Sequence, residues 1–150
     1  MGGSEARRIQ QTWPLWDQGR QFDLGHVLNG AITDVIAPSH VGSLTVQHTG
    51  LWECDLTDNR LIWSGGVYDI FGIARSAEIK REEVIAFYVE ESRVLLERIR
   101  AHAIRRRCGF TVDVEVCAAA VRERRSIRII AAPVCDGDRV TRLHGVKLII

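Results

Sequence analysis

The chain has 150 residues, of which 46% are hydrophobic, so it has the length of one ordinary domain and can bury a single core. Its 20 Lys and Arg residues nearly balance 19 Asp and Glu residues, for a formal net charge of +1. This balance gives no long-range field, so we expect no nucleic-acid partner and no membrane partner. The polar start of the sequence and the lack of any long apolar segment predict a cytoplasmic protein.

Cysteine and histidine spacing argues against a metal site. The sequence has four cysteines and five histidines. The cysteines form no C-x-x-C pair, and no two histidines have the i, i+4 spacing of zinc enzymes. We therefore expect free thiols in a reducing compartment and no structural zinc.

Residues 1–49 are predicted to be an N-terminal extension that contains an amphipathic flanking helix over about 24–36. Apolar residues recur there with the 3.6-residue period of a helix. Asp23 is a suitable N-cap, and Pro38 stands beyond the end. The stripe that we expect to pack on a sheet or at a dimer interface includes Leu24, Val27, Leu28, Ala31 and Val35.

Beyond residue 49 the pattern predicts two strands, a helical middle and three further strands. Period-2 alternation predicts the strands, and apolar positions at helical spacing among charges predict the helices. The strands are expected over 50–56, 61–64, 110–116, 126–133 and 140–150, and the helices over 67–71, 80–88 and 90–107. This order favours an α+β fold, an antiparallel sheet with helices on one face.

From residue 50 to the end, these pieces resemble a PAS domain of the bacterial sensory variety. The matching pieces are Gly50-Leu-Trp-Glu-Cys-Asp-Leu56, Leu61-Ile-Trp-Ser64, Tyr68-Asp-Ile-Phe-Gly72, Ile127-Arg-Ile-Ile-Ala-Ala-Pro-Val134 and Leu143-His-Gly-Val146. Their order and spacing are more specific than any one of them. The family often has His-Pro-Glu-Asp before the long helix, whereas this chain has Tyr88-Val-Glu-Glu-Ser92.

The resemblance implies a five-stranded antiparallel sheet over 50–150, in the order 2-1-5-4-3, with helices enclosing a pocket on one face. It implies a sensory or signal-transduction module that senses a small ligand or mediates protein–protein interaction. Such a module would form a homodimer and act on a downstream signalling effector. The sequence given carries no output domain, so we expect either a piece of a longer sensor or a module with a separate partner.

Pocket candidates are the residues placed on the inner sheet face or on helices that face it. They are Trp52, Cys54, Trp63, Tyr68, Phe71, Ile99, His102, Val112 and Ile129. Because most of them are apolar, we expect an apolar or aromatic ligand rather than a metal cofactor.

Alternation along the last strand also predicts which of its residues face inward. It assigns Val146 and Leu148 to the inner face, and Leu143 and Ile149 to the outer face. The outer face, near Ile130 and Ile149, is where we expect the flanking helix to pack.

The identity of a cofactor, if there is one, stays open. The Asn-Cys-Arg-Phe motif of PAS flavin photochemistry is absent from the sequence. Haem-binding members of the family use a histidine on the long helix, and His102 lies there, so a haem sensor is one alternative to an ordinary histidine at the helix edge. A second alternative is a small α+β enzyme that uses Glu53, Asp55 or His102 as acid/base groups.

Overall fold

The structure is a computed structural model that describes residues 9–15, 48–119 and 122–150. Its strands are β1 (Gln10–Trp13), β2 (Thr49–Asp55), β3 (Leu61–Trp63), β4 (Gly109–Cys117), β5 (Arg124–Asp136) and β6 (Arg139–Ile149). Its helices are α1 (Gly65–Phe71), α2 (Arg81–Ile85) and α3 (Glu90–Arg106). The flanking helix predicted over 24–36, with Leu24, Val27, Leu28, Ala31 and Val35, falls outside the described residues.

The strands form one antiparallel sheet in the order β1-β4-β5-β6-β2-β3. Counted from β2, five of them have the order 2-1-5-4-3 that the resemblance implied, so the α+β prediction is confirmed. β1 is an addition to the expected five. It pairs with the free edge of β4 and so becomes the edge strand of the sheet, with Gln10 opposite Val112 and Trp13 opposite Gly109. Its four residues are too few and too polar for alternation to reveal a strand.

The three helices cover one face of the sheet, here called the inner face, and the main core lies between them. The sheet contributes Trp52, Cys54, Trp63, Phe110, Val112, Val114, Val116, Ile127, Ile129 and Ala131, and the helices contribute Val67, Ile70, Phe71, Val84, Leu96 and Ile99. Burying a large apolar side chain contributes about 1.5–3 kcal/mol. None of the helices within the described ranges is long and apolar enough to cross a membrane.

The facing predicted for β6 is wrong. Leu143 and Ile149 pack in the main core on the inner face, whereas Val146 and Leu148 belong to a second cluster on the outer face. The predicted facing put Lys147 outward, where lysines are usually found. Lys147 is instead buried, on the inner face.

The start of α1 crosses β2 at very short range. A Cβ atom on Gly66 would lie 2.0 Å from the carbonyl oxygen of Thr49, and one on Gly50 would lie 2.4 Å from the backbone nitrogen of Val67. Beside this crossing, the backbone N–H of Leu51 donates to Ser64 Oγ at 2.8 Å. These contacts fix α1, and the Phe71 ring at its end, against the sheet.

The crossing predicts different results for the same substitution at adjacent glycines. Gly66→Ala should lower the free energy of unfolding by about 1–3 kcal/mol, because backbone atoms must move apart. Gly65→Ala is the matched control, since its Cβ would meet only the guanidinium of the exposed Arg75, at 2.6 Å, and alanine favours a helix by about 0.5–1 kcal/mol. Urea unfolding of both variants measures this difference, and equal midpoints would contradict the close crossing.

Candidate functional site

A buried lysine lies at the centre of the inner face. Lys147 of β6 is 7% exposed, and its Nζ lies 3.0 Å from the hydroxyl oxygen of Tyr88. The same nitrogen lies 5.2 Å from the ring centroids of Trp52 and Phe71, and 5.7 Å from those of Trp63 and Tyr88. Ring faces attract cations. We call Lys147 and these four rings the lysine cage.

The cage is assembled from several elements of the fold. Trp52 of β2 lies opposite Trp63 of β3 in the hairpin register. The Trp63 ring stacks on Phe71 of α1 at 4.9 Å, and Phe71 meets the ring of Tyr88 edge-on at 5.7 Å. Tyr88, between α2 and α3, is held by a backbone bridge to Val116 of β4. The cage therefore ties the hairpin and the helical segment to the sheet.

Burial controls the protonation of the two polar groups in the cage. It lowers the pKa of Lys147 to about 7; the Cys54 thiol opposes this shift, and the positive charge of Arg81 adds to it. Burial raises the pKa of the Tyr88 hydroxyl, which therefore stays protonated at neutral pH. Lys147 is thus present at neutral pH both as an ammonium and as a neutral amine.

A cavity of about 50 Å³ adjoins Lys147. Since a water molecule in the liquid occupies about 30 Å³, the cavity has room for about one or two water molecules. Its wall is mostly apolar, with the Cys54 thiol on one side, and its polar lining consists of Tyr88, Lys147, Arg81 and Arg100. Burial raises the pKa of the Cys54 thiol, while Arg100 opposes that shift.

The polar groups at the cavity are mainly donors, and the Tyr88 hydroxyl, which accepts from Lys147, is the exception. Arg81 forms an ion pair with Glu97, whereas Arg100 donates to the neutral Asn59 side chain at 3.3 Å. Among the described residues that line the cavity none is acidic. The buried Nε1 atoms of Trp52 and Trp63 have no hydrogen-bond partner within the described ranges. The cationic side chains of Lys147 and Arg100, with no acidic side chain beside them in the described lining, favour an anion.

The predicted pocket residues fall into three groups. Trp52, Cys54 and Ile129 line the cavity, and Trp63 and Phe71 lie against Lys147. Ile99 and Val112 are buried in the core, and Tyr68 packs against its edge, with its ring 5.2 Å from Trp63. His102 lies elsewhere, in a surface groove that it shares with Arg98 and the β1 strand.

Sequence reasoning missed the polar side chains of the site. Lys147 was assigned to the wrong face, and Arg81, Tyr88 and Arg100 were not singled out. One signal was available for Lys147: it lies an even number of positions from Leu143 and Ile149, so all three share a face. Arginines along a helix carry no comparable signal, because most of them are solvated.

The haem alternative does not fit the geometry. His102 lines the surface groove rather than the cavity beside Lys147, so it could not ligate an iron bound in that cavity. A space of about 50 Å³ is also far too small for a porphyrin ring. Across residues 9–15, 48–119 and 122–150, no group of three His, Cys, Asp or Glu side chains could hold a metal ion.

The residues of the acid/base alternative do not lie together in the structure. Glu53 and Asp55 alternate with Trp52 and Cys54 along β2, so they point away from the inner face. Glu53 accepts a hydrogen bond from Arg142 at 2.6 Å. The Thr57 hydroxyl and N–H donate to Asp55 and lower its pKa. Both carboxylates are thus engaged on the opposite side of the sheet from α3, which carries His102.

The fold matches solved structures, whereas no protein-family model and no curated protein matches the sequence significantly. The N-terminal domain of a diguanylate cyclase with PAS/PAC sensor from Marinobacter aquaeolei has a TM-score of 0.61 at 12% identity, over 67% of this chain and 94% of that one. A sensory box histidine kinase/response regulator from Burkholderia thailandensis has a TM-score of 0.59 at 15% identity, over 68% and 76%.

An RNA-binding light-oxygen-voltage receptor is similar as well. Its TM-score is 0.60 at 17% identity over 68% of this chain, but the match spans only 29% of the receptor. At these identities the likeness establishes the fold. The sheet of this chain, with its inner-face helices, has the PAS fold.

The buried lysine predicts an unusual dependence of stability on pH. Between about pH 7 and 10, the unfolded chain keeps a proton on Lys147 that the folded chain has released. The free energy of unfolding should therefore rise with pH, by up to about 1.4 kcal/mol per pH unit, and this rise should disappear in Lys147→Met. Urea unfolding at pH 7, 8 and 9 measures it.

Lys80→Met is the control for this experiment, because Lys80 is exposed and is the other lysine of the sequence. It should keep the wild-type dependence on pH. If the free energy of unfolding changes equally with pH in wild type and in Lys147→Met, Lys147 has the same pKa in the folded and unfolded chains, which contradicts the prediction.

Proposed function

We propose that the chain is a sensory PAS module that detects a small organic anion in the cavity beside Lys147. The observation that carries the proposal is the cavity lining, which combines Lys147 and Arg100 with no acidic side chain among its described residues. The PAS fold supports the sensory role, since matching structures include a PAS/PAC sensor domain and a sensory box kinase.

The size and chemistry of the cavity favour a short carboxylate. Room for about one or two water molecules restricts the ligand to a few non-hydrogen atoms. Its carboxylate would accept hydrogen bonds from Arg100 and Lys147, and charge-assisted bonds of this kind are the strong ones. Its carbon end would contact Ile129 and Leu143 in the apolar wall. A purely apolar ligand would leave these donors without acceptors.

The same strands carry a route for the signal. Lys147 and Trp52 face the cavity, and their chain neighbours Val146 and Leu51 pack in the cluster on the outer face, with Trp13 and Ala132. A ligand that displaces the side chains of Lys147 and Trp52 would therefore move the strands β6 and β2 that carry them. This movement would change the packing of the outer cluster. A ligand that binds one packing better than another shifts the populations of the two.

The proposal includes a regulatory role without catalysis, in the cytoplasm, with a separate or attached effector. The dispersed positions of Glu53, Asp55 and His102 support the absence of catalysis. The homodimer stays a prediction, and light scattering across a range of protein concentrations would measure it. A monomer at every concentration would contradict it.

Carboxylate binding should depend on Arg100. Acetate titrated at constant ionic strength should shift the indole N–H resonance of Trp52 in ¹⁵N-correlation spectra, assigned with Trp52→Phe. Arg100→Gln should weaken binding about tenfold or more, because it removes a charge-assisted hydrogen bond of about 1.5–3 kcal/mol. Arg98→Gln is the matched control, since Arg98 lies two positions away and is exposed. Equal acetate affinity in both variants, or no saturable shift, would contradict the site.

A further inference from the structure

Two nucleophilic side chains, Lys147 and Cys54, line the cavity. The Cys54 thiol is buried, which raises its pKa and keeps it in the protonated form that reacts slowly. Lys147 has the opposite property, because burial lowers its pKa to about 7 and so supplies the neutral amine that attacks carbonyl carbon. Its side chain also lines a cavity that a small molecule could fill.

The groups around Lys147 determine how its amine is held. The Tyr88 hydroxyl lies 3.0 Å from Nζ, and the ring centroids of Trp52, Trp63 and Phe71 lie 5.2–5.7 Å from the same nitrogen. The charged groups that face it are Arg81, with its partner Glu97, and Arg100 across the cavity. These contacts fix the nitrogen in one place, and fixed reacting groups need less ordering when they react.

We propose that Lys147 binds its ligand covalently, as an imine with the carbonyl carbon of a small 2-oxo acid. The inference rests on the proposed function, because the carboxylate of this ligand would bind at Arg100. In a 2-oxo acid the carbonyl carbon is bonded directly to the carboxylate carbon. The smallest members of this class therefore present both groups to a cavity that Lys147 and Arg100 both line.

The reaction is balanced without a further reagent. The lone pair of the neutral Lys147 amine attacks the carbonyl carbon, so that a C–N bond forms and the carbonyl oxygen takes up a proton. Loss of that oxygen as water breaks the C–O bond and leaves the C=N bond of the imine. The Tyr88 hydroxyl, in contact with Nζ, can pass a proton from nitrogen to the departing oxygen. Addition of water reverses the step, as a sensor requires.

Reductive trapping tests the imine. The full chain is incubated at pH 7 with glyoxylate and cyanoborohydride, which reduces an imine to a stable secondary amine, and the modified residue is located by peptide mass spectrometry. We expect modification at Lys147 at least about ten times faster than at Lys80, the exposed lysine that serves as an internal comparison. The rate at Lys147 should rise with pH through about 7, as its neutral amine is formed.

Lys147→Arg, which keeps the charge but cannot form this imine, should abolish the fast modification while its near-ultraviolet circular dichroism shows that the core is kept. Modification of Lys80 as fast as Lys147, or none at Lys147, overturns the proposal.

The acetate titration of wild-type protein distinguishes failure of the imine proposal from failure of the proposed anion sensor. Saturable acetate binding without trapping removes the imine and leaves the anion sensor, whereas trapping without acetate binding supports the imine and removes the carboxylate site.

Discussion

The burial of one ammonium group is the constraint on which this structure depends. An isolated charge transferred to an apolar interior is very costly, and proteins reduce the cost by pairing the charge or by neutralising it. In this chain Lys147 has no acidic partner in the cage, and its stabilisation comes from four ring faces and the Tyr88 hydroxyl. Those rings belong to β2, β3, α1 and the α2–α3 connection. The buried ammonium group is therefore stabilised only when all four of these segments pack around it.

On the outer face of the sheet, the buried charge is paired with an opposite charge. Asp113 of β4 is buried, and it accepts two hydrogen bonds from Arg128 of β5, at 2.8 and 3.1 Å. The same carboxylate accepts from the backbone N–H of Ile9, and the indole N–H of Trp13 donates to Thr111. These bonds attach β1 to the edge of β4, which would otherwise present unpaired backbone groups. One face thus satisfies its charge by pairing, and the other leaves donors available at a cavity.

The sequence predicted the fold better than the site, for a physical reason. Strict alternation along β4 and β5 revealed strands buried on one face, and the order of elements revealed their arrangement. The same alternation found Trp52 and Trp63, because apolar side chains on a regular period report the core. It failed at β6, where a lysine contradicts the usual rule that charge marks the solvent side. Arg100 could not be found either, since helix phase does not say which long side chains bend back toward a cavity.

A lysine that titrates near pH 7 would connect the proposed anion binding with the proposed covalent chemistry at one residue. In that scheme the ammonium form attracts the carboxylate, and the neutral form attacks the carbonyl. A lysine fixed in either form would lose one of these steps. Imine formation also makes the nitrogen planar and less able to hydrogen-bond to Tyr88, while a protonated imine still carries a charge that the rings can stabilise. Ligand would therefore weaken one of the contacts that attach Tyr88 to β6. Because Tyr88 is also held by Val116, the resulting change would fall on β6 and its neighbour β2, two of the strands that contribute side chains to the outer cluster.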